Sequence, residues 1–180
     1  MARAPSTALA RSVPTAHLLL IGGQAGSSDA TDQAFSERIA ALIERHDVAD
    51  RVIRTGFLPE AETSAALLAC DVMALPYRDG VSLRRGTLMA ALAHGLPIVS
   101  TTGDALPAEL RDGDNVILVP PGEPERLAQA LLDLSRDRQR RGRLGEGARA
   151  LAARFGWDAI AARTLDVLAA CRADAKAKPT

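Results

Sequence analysis

The chain has 180 residues, 47% of them apolar, which suffices for the core of one compact α/β domain. Its 22 acidic and 22 basic side chains cancel, so no net field exists to hold a polyanion, and a nucleic-acid partner is not expected. No apolar run approaches the roughly 18 to 20 residues that span a bilayer, which leaves at most peripheral membrane contact.

Residues 1–14, MARAPSTALARSVP, contain no acid, a composition that transit peptides share. Because the segment runs straight into a strand, it reads as the remnant of a preceding helix. His17 to Ile21 is a short apolar run stopped by Gly22 and Gly23, the pattern of a buried parallel strand followed by a turn. From Thr31 to about His46, Phe35, Ile39, Leu42 and Ile43 recur at helical spacing. Val52 to Thr55 forms a second strand ending at Gly56, and Pro59 opens a helix whose apolar side includes Leu67, Leu68 and Cys70.

Val72 to Leu75 is a third strand stopped at Pro76. After a polar loop, Leu83 to His94 reads as a helix and Pro97 to Ser100 as a fourth strand. Pro107 to Arg111 suggests one helical turn, and Asn115 to Val119 a fifth strand, with Pro120, Pro121 and Gly122 marking the exit from the sheet. Glu123 to Ser135, Asp137 to Arg154 and Trp157 to about Arg172 carry helical periodicity alone; they are expected to pack at the sheet edge or to reach across an interface. The expected layout is a Rossmann-like α/β domain over residues 15–136, C-terminal helices over 137–172, and a frayed tail at 173–180. No fixed-period repeat, low-complexity linker or heptad array is present.

Cys70 and Cys171 lie far apart in apolar helical stretches, where free cysteine usually behaves as a small buried hydrophobe. A reducing, cytoplasmic setting fits them, and a disulfide stays open. His17 sits inside a strand, His46 has acidic neighbours but no second ligand nearby, and His94 precedes a glycine; neither a metal site nor a nucleophilic triad follows.

In open α/β sheets, ligands bind beyond the carboxyl ends of the strands, which directs attention to the loops at Gly22, Gly56, Pro76 to Gly86, and Thr101 to Pro107. The succession LLLIGG, RVIRTGFLPEAE, LLACDVMALPY, MAALAHGLPIVST and AELRDGDNVILVPPGEPERLAQAL resembles the C-terminal, donor-binding domain of retaining GT-B glycosyltransferases, the group 1 or family 4-like enzymes. The resemblance covers about Val13 to Leu168. It implies a cytoplasmic, bacterial-type hexosyltransferase half that takes a nucleotide diphosphate sugar. An N-terminal acceptor domain or a partner chain would complete it, and it would need no cofactor or metal. It also implies that the domain's opening strand is missing, so that an edge or apolar groove between Val13 and the strand at Leu18 would favour pairing with another chain.

One departure from the family concerns two glutamates, which contact the donor sugar and the nucleotide ribose. Aligned on Ala93, Gly95 and Pro97, they fall on Ser82 and Ala90. The glycine-rich turn between them is replaced by Leu83, Arg84 and Arg85, with Gly86 the nearest surviving glycine. Arg84, Arg85 and Gly86 are the leading candidates for the donor diphosphate, because guanidinium and a helix N-terminus both suit anions; for an arbitrary arginine pair the competing reading is a solvated helix start. Gly22 and Gly23 are further phosphate candidates. Thr55, Gly56, Tyr77, Gly80, Val81 and Ser82 are candidates for nucleotide or sugar. Ser82 and Asp79 are the tentative catalytic-loop polar groups, with helix capping the competing role for each.

Two alternatives stand beside this reading. One is a non-catalytic nucleotide-binding or regulatory subunit that keeps the fold without the donor glutamates. The other is an unrelated Rossmann-like enzyme such as a nucleotide-sugar epimerase, which would need catalytic acids and a histidine in the cleft.

Overall fold

A computed structural model of the chain describes residues 5–22 and 30–177. In order it forms α1 (Pro5–Ser12), β1 (Leu18–Ile21), α2 (Ala30–Arg45), β2 (Val52–Gly56), α3 (Glu60–Leu68), β3 (Met73–Leu75) and α4 (Gly86–Ala93). There follow β4 (Ile98–Thr101), β5 (Ile117–Val119), α5 (Pro124–Arg136), α6 (Arg138–Ala152) and α7 (Trp157–Ala177). Strands alternating with helices place the molecule in the α/β class with parallel pairing, and every strand pair is indeed parallel.

The core sits on β3, β4 and β5, hydrogen-bonded in that order. Successive residues of a strand face opposite sides. Ile98 therefore packs with Leu67, Leu88 and Leu92 of α3 and α4, whereas its neighbour Val99 packs with Leu134 of α5. All four residues of β4 are buried, as expected of a strand covered on both faces. Helix α6 serves both layers: Ala148 and Leu151 join the first cluster and Leu144 joins the second. Its glycines allow close approach. A methyl group on Gly145 would come within 2.5 Å of the Gly95 carbonyl oxygen, and one on Gly147 would collide with the Asp114 carbonyl.

The sheet is in two pieces. β1 pairs with β2 alone, and β3 pairs with β4 but with no strand on its other side, so each keeps an unpaired edge among the described residues. No residue of β1 or β2 is fully buried, and Ile53 is 50% exposed. Leu18 is itself exposed.

Several boundaries differ from the sequence expectation. Pro107 to Arg111 is a turn rather than helix, closed by the Leu110 amide donating to the Pro107 carbonyl. It is held from outside: Asn115 Oδ1 accepts from the Arg111 amide, and Asn115 Nδ2 donates to the Glu109 carbonyl. α4 begins at Gly86 rather than Leu83. α7 runs on to Ala177, through most of the segment expected to fray. Cys171 is exposed and Cys70 half-buried; both are free thiols.

Candidate functional site

β1 and β2 end side by side. The Gly22 amide donates to the Gly56 carbonyl at 3.1 Å, and Thr55 Oγ1 donates to the same carbonyl at 2.9 Å. Both glycines are exposed, and no described residue lies within 4 Å of where a side chain would stand on either. Backbone is therefore open to close approach at this end of the sheet. Gly23 lies outside the described residues.

The loop after β3 is clamped to the loop after β4. Thr101 Oγ1 donates to the Tyr77 carbonyl at 2.6 Å, and the Val81 amide donates to the Thr101 carbonyl at 3.0 Å. Gly80 has φ +84°, and its α-carbon faces Gly103 so closely that a methyl group there would lie 2.6 Å from the Gly103 nitrogen. Val81 is buried in the core, so its side chain is part of the floor rather than the opening. Tyr77, Gly80 and Val81 thus fix the path of the segment that carries the charged candidates.

Arg85 and Arg84 have different surroundings. Arg85 Nη2 donates to both carboxylate oxygens of Asp79, and its guanidinium lies 3.9 Å from the centre of the Tyr77 ring. Its Nε is buried without a hydrogen-bond partner. The Tyr77 hydroxyl is 2.5 Å from Thr87 Oγ1, which fixes the ring against the first turn of α4. Arg84 is exposed and makes no ion pair or hydrogen bond among the described residues. Arg78 is exposed on the same loop and equally unengaged. It is a third cation within PYRDGVSLRRG, six residues ahead of Arg84.

Neither polar candidate caps α4. The N-cap position belongs to Arg85 and has no side-chain cap, Asp79 is engaged with Arg85, and the Ser82 carbonyl accepts from the Arg85 amide in a turn ahead of the helix. Gly86 is exposed at the first helical position with open space beside it, and the free amides of that turn favour an anion. Ala90 is half-buried within α4.

His94 is bound up with structure. Its Nδ1 is 2.8 Å from the Ala90 carbonyl, which can only accept, so in the neutral ring Nδ1 carries the proton and Nε2 accepts from Ser64 Oγ at 2.7 Å. Among the described residues no group of three or more His, Cys, Asp or Glu is placed to hold a metal ion.

The likeness to known proteins extends over most of the chain. Residues 2–137 match the family model described as glycosyl transferases group 1. The chain belongs to the group 1 glycosyl transferases. It is 38% identical over 154 residues to a D-inositol 3-phosphate glycosyltransferase of Streptomyces bingchenggensis, covering 83% of this chain and 32% of that protein. A putative colanic acid biosynthesis glycosyltransferase, WcaL, of Salmonella typhimurium is 32% identical over 109 residues, covering 57% of this chain and 26% of that protein. The chain therefore spans about a third or less of each of these relatives.

Among solved structures, Anabaena HepE in complex with UDP superimposes with a TM-score of 0.77 at 24% identity, over 93% of this chain and 44% of that one. Sucrose-phosphate synthase from Thermosynechococcus elongatus gives 0.75 at 26% identity, over 94% of this chain and 42% of that one. The architecture is accordingly that of one Rossmann-like half of a GT-B glycosyltransferase. Among the described residues no helix is long and apolar enough to cross a membrane.

Proposed function

We propose that this domain binds the donor of a glycosyl transfer, a nucleoside diphosphate sugar, at the carboxyl ends of its strands. Further polypeptide, in the same chain or another, would supply the acceptor site. The observation that carries the reading is the position of exposed, unengaged Arg84 immediately ahead of the N-terminus of α4, with Arg78 exposed on the same loop, which is clamped to β4. Cations and free amides at one place suit a diphosphate, and a clamped loop spends little entropy when it is bound. The exposed glycines at the ends of β1 and β2 leave room for sugar or phosphate to approach the main chain.

In this reading the domain contributes electrostatic stabilisation of the departing diphosphate and orientation of the donor, with arginine in place of a metal ion. The likeness to HepE, whose structure holds UDP, supports a nucleotide ligand. Retention of configuration and a cytoplasmic setting belong to the same proposal. So does a strand from the completing polypeptide along the unpaired edges of β1 and β3.

A second reading, a nucleotide-binding subunit without transfer activity, is favoured by Ser82 and Ala90 standing where the family's donor glutamates are expected. Calorimetric titration of the chain with UDP, GDP and ADP and their glucose or mannose conjugates, at low salt, tests the common element. Binding of one nucleotide in the micromolar to low-millimolar range is expected; no binding by a folded chain would overturn both readings.

A further inference from the structure

Asp79 holds Arg85 by an incomplete grip. The strong arginine–carboxylate pair uses two guanidinium nitrogens, one for each oxygen. Here both oxygens of Asp79 take the same nitrogen, Nη2. Nη1 makes no hydrogen bond among the described residues, and Nε is buried without a partner. A buried donor left unmade costs free energy, so hydrogen bonding does not secure the pose of Arg85 on the Tyr77 ring. Nor does the ion pair, because the Asp79 carboxylate stands mostly in water, where such a pair is worth little.

The place is one that suits an anion. Arg85 is the N-cap residue of α4, and no side chain caps the amides of the first turn. Asp79 thus sets an oxyanion on the cation that adjoins the helix start, which is the chemistry a phosphate would bring. The loop itself is fixed by Thr101 and by the contact of Gly80 with Gly103. Exchange of one oxyanion for another on Arg85 therefore needs movement of side chains and not of backbone.

We propose that Asp79 is an internal competitor for the donor diphosphate: it occupies Arg85 in the free protein, and the diphosphate takes Arg85 from it. The inference rests on the donor-binding reading above and adds a third, releasable cation to Arg84 and Arg78. Competition has a sign that a supporting role lacks. If Asp79 positions Arg85 for the ligand, its loss weakens binding; if it competes, its loss tightens binding.

Titration of the full 180-residue chain and its variants with UDP, GDP, ADP and inorganic pyrophosphate, at low salt, tests the proposal. Asp79→Asn should bind about three- to fivefold more tightly than the wild type, the range that release from an exposed pair allows. Removing an acid near an anion also helps through space, so Asp104→Asn is the comparison. Asp104 follows Gly103 on the adjoining loop, is exposed, and has no side-chain partner among the described residues. Its loss should move Kd by less than about twofold. In an Arg85→Ala background the gain from Asp79→Asn should fall to that level, because no cation is left to release. Melting curves confirm that each variant is folded. Unchanged or weaker binding by Asp79→Asn, a gain no larger than that of Asp104→Asn, or a gain that persists without Arg85 would overturn the proposal and leave the donor reading standing. No binding of any of the four probes, by the folded wild type and by Asp79→Asn alike, would overturn the donor reading and the proposal with it.

Discussion

Gly80 and Gly103 stand backbone to backbone, joining the loop after β3 to the loop after β4. A methyl group on Gly80 would lie 2.7 Å from the Thr102 carbonyl oxygen, and one on Gly103 would lie 2.6 Å from that of Asp79. Because these obstacles are main chain, no side-chain rotation relieves them.

Gly80→Ala is therefore expected to destabilise the domain by about 2–4 kcal/mol, combining the left-handed conformation of residue 80 with overpacking. Gly86→Ala, with open space beside it and an ordinary backbone conformation, should be neutral or slightly stabilising. Thermal melting of the two variants checks the contrast.

The arginines at the mouth of this loop should separate in mutagenesis. Arg85 is engaged by Asp79 and by the Tyr77 ring, and Asp79 is 75% exposed, so Arg85→Ala should cost about 1 kcal/mol of stability. Arg84→Glu should leave the melting temperature unchanged while weakening nucleotide binding by about tenfold or more at low salt. That difference should shrink as salt is added. Titration of both variants beside their melting curves distinguishes the pinned cation from the unengaged one.

The two thiols should respond differently to pH. Burial, with a smaller contribution from the Asp71 carboxylate, pushes the Cys70 thiol up, and its Sγ donates to the Ala66 carbonyl at 3.2 Å. A raised pKa means less thiolate at a given pH, so alkylation of Cys70 should be slow near neutrality and accelerate only on the alkaline side of an ordinary cysteine. Cys171 is exposed and should be modified first. Mass spectrometry of alkylated peptides across pH 7 to about 10 reads the order directly; equal rates near neutrality would contradict it.

The strands β1 and β3 were legible because each is an apolar run cut off by glycine or proline: LLLI before Gly22, and MAL before Pro76. Short range was enough there. It was not enough at Pro107 to Arg111, where an apparent helical turn is shaped by the Asn115 side chain reaching back four and six residues. It also misplaced the start of α4. Leucine and arginine suit a helix, but the path of residues 76–85 is set by Thr101 and Gly103, more than 15 residues further along the chain.

The same limit applies to the site. That arginines stand ahead of α4 is visible in RRG, whereas the engagement of Arg85 by Asp79 and Tyr77 depends on a loop held in place from the neighbouring strand. Helix periodicity likewise gave α6 correctly but said nothing of Gly145 and Gly147, whose value lies in what they let the helix touch.

The family match ends at residue 137, one residue before α6 begins. Yet Leu144, Ala148 and Leu151 of that helix complete the hydrophobic clusters on both sides of the sheet, and its glycines seat it against the turns at Gly95 and Asp114. The stretch that the family model matches is thus shorter than the unit that folds. A chain trimmed at the family boundary would keep every candidate ligand-binding residue and lose the wedge that holds the two layers together.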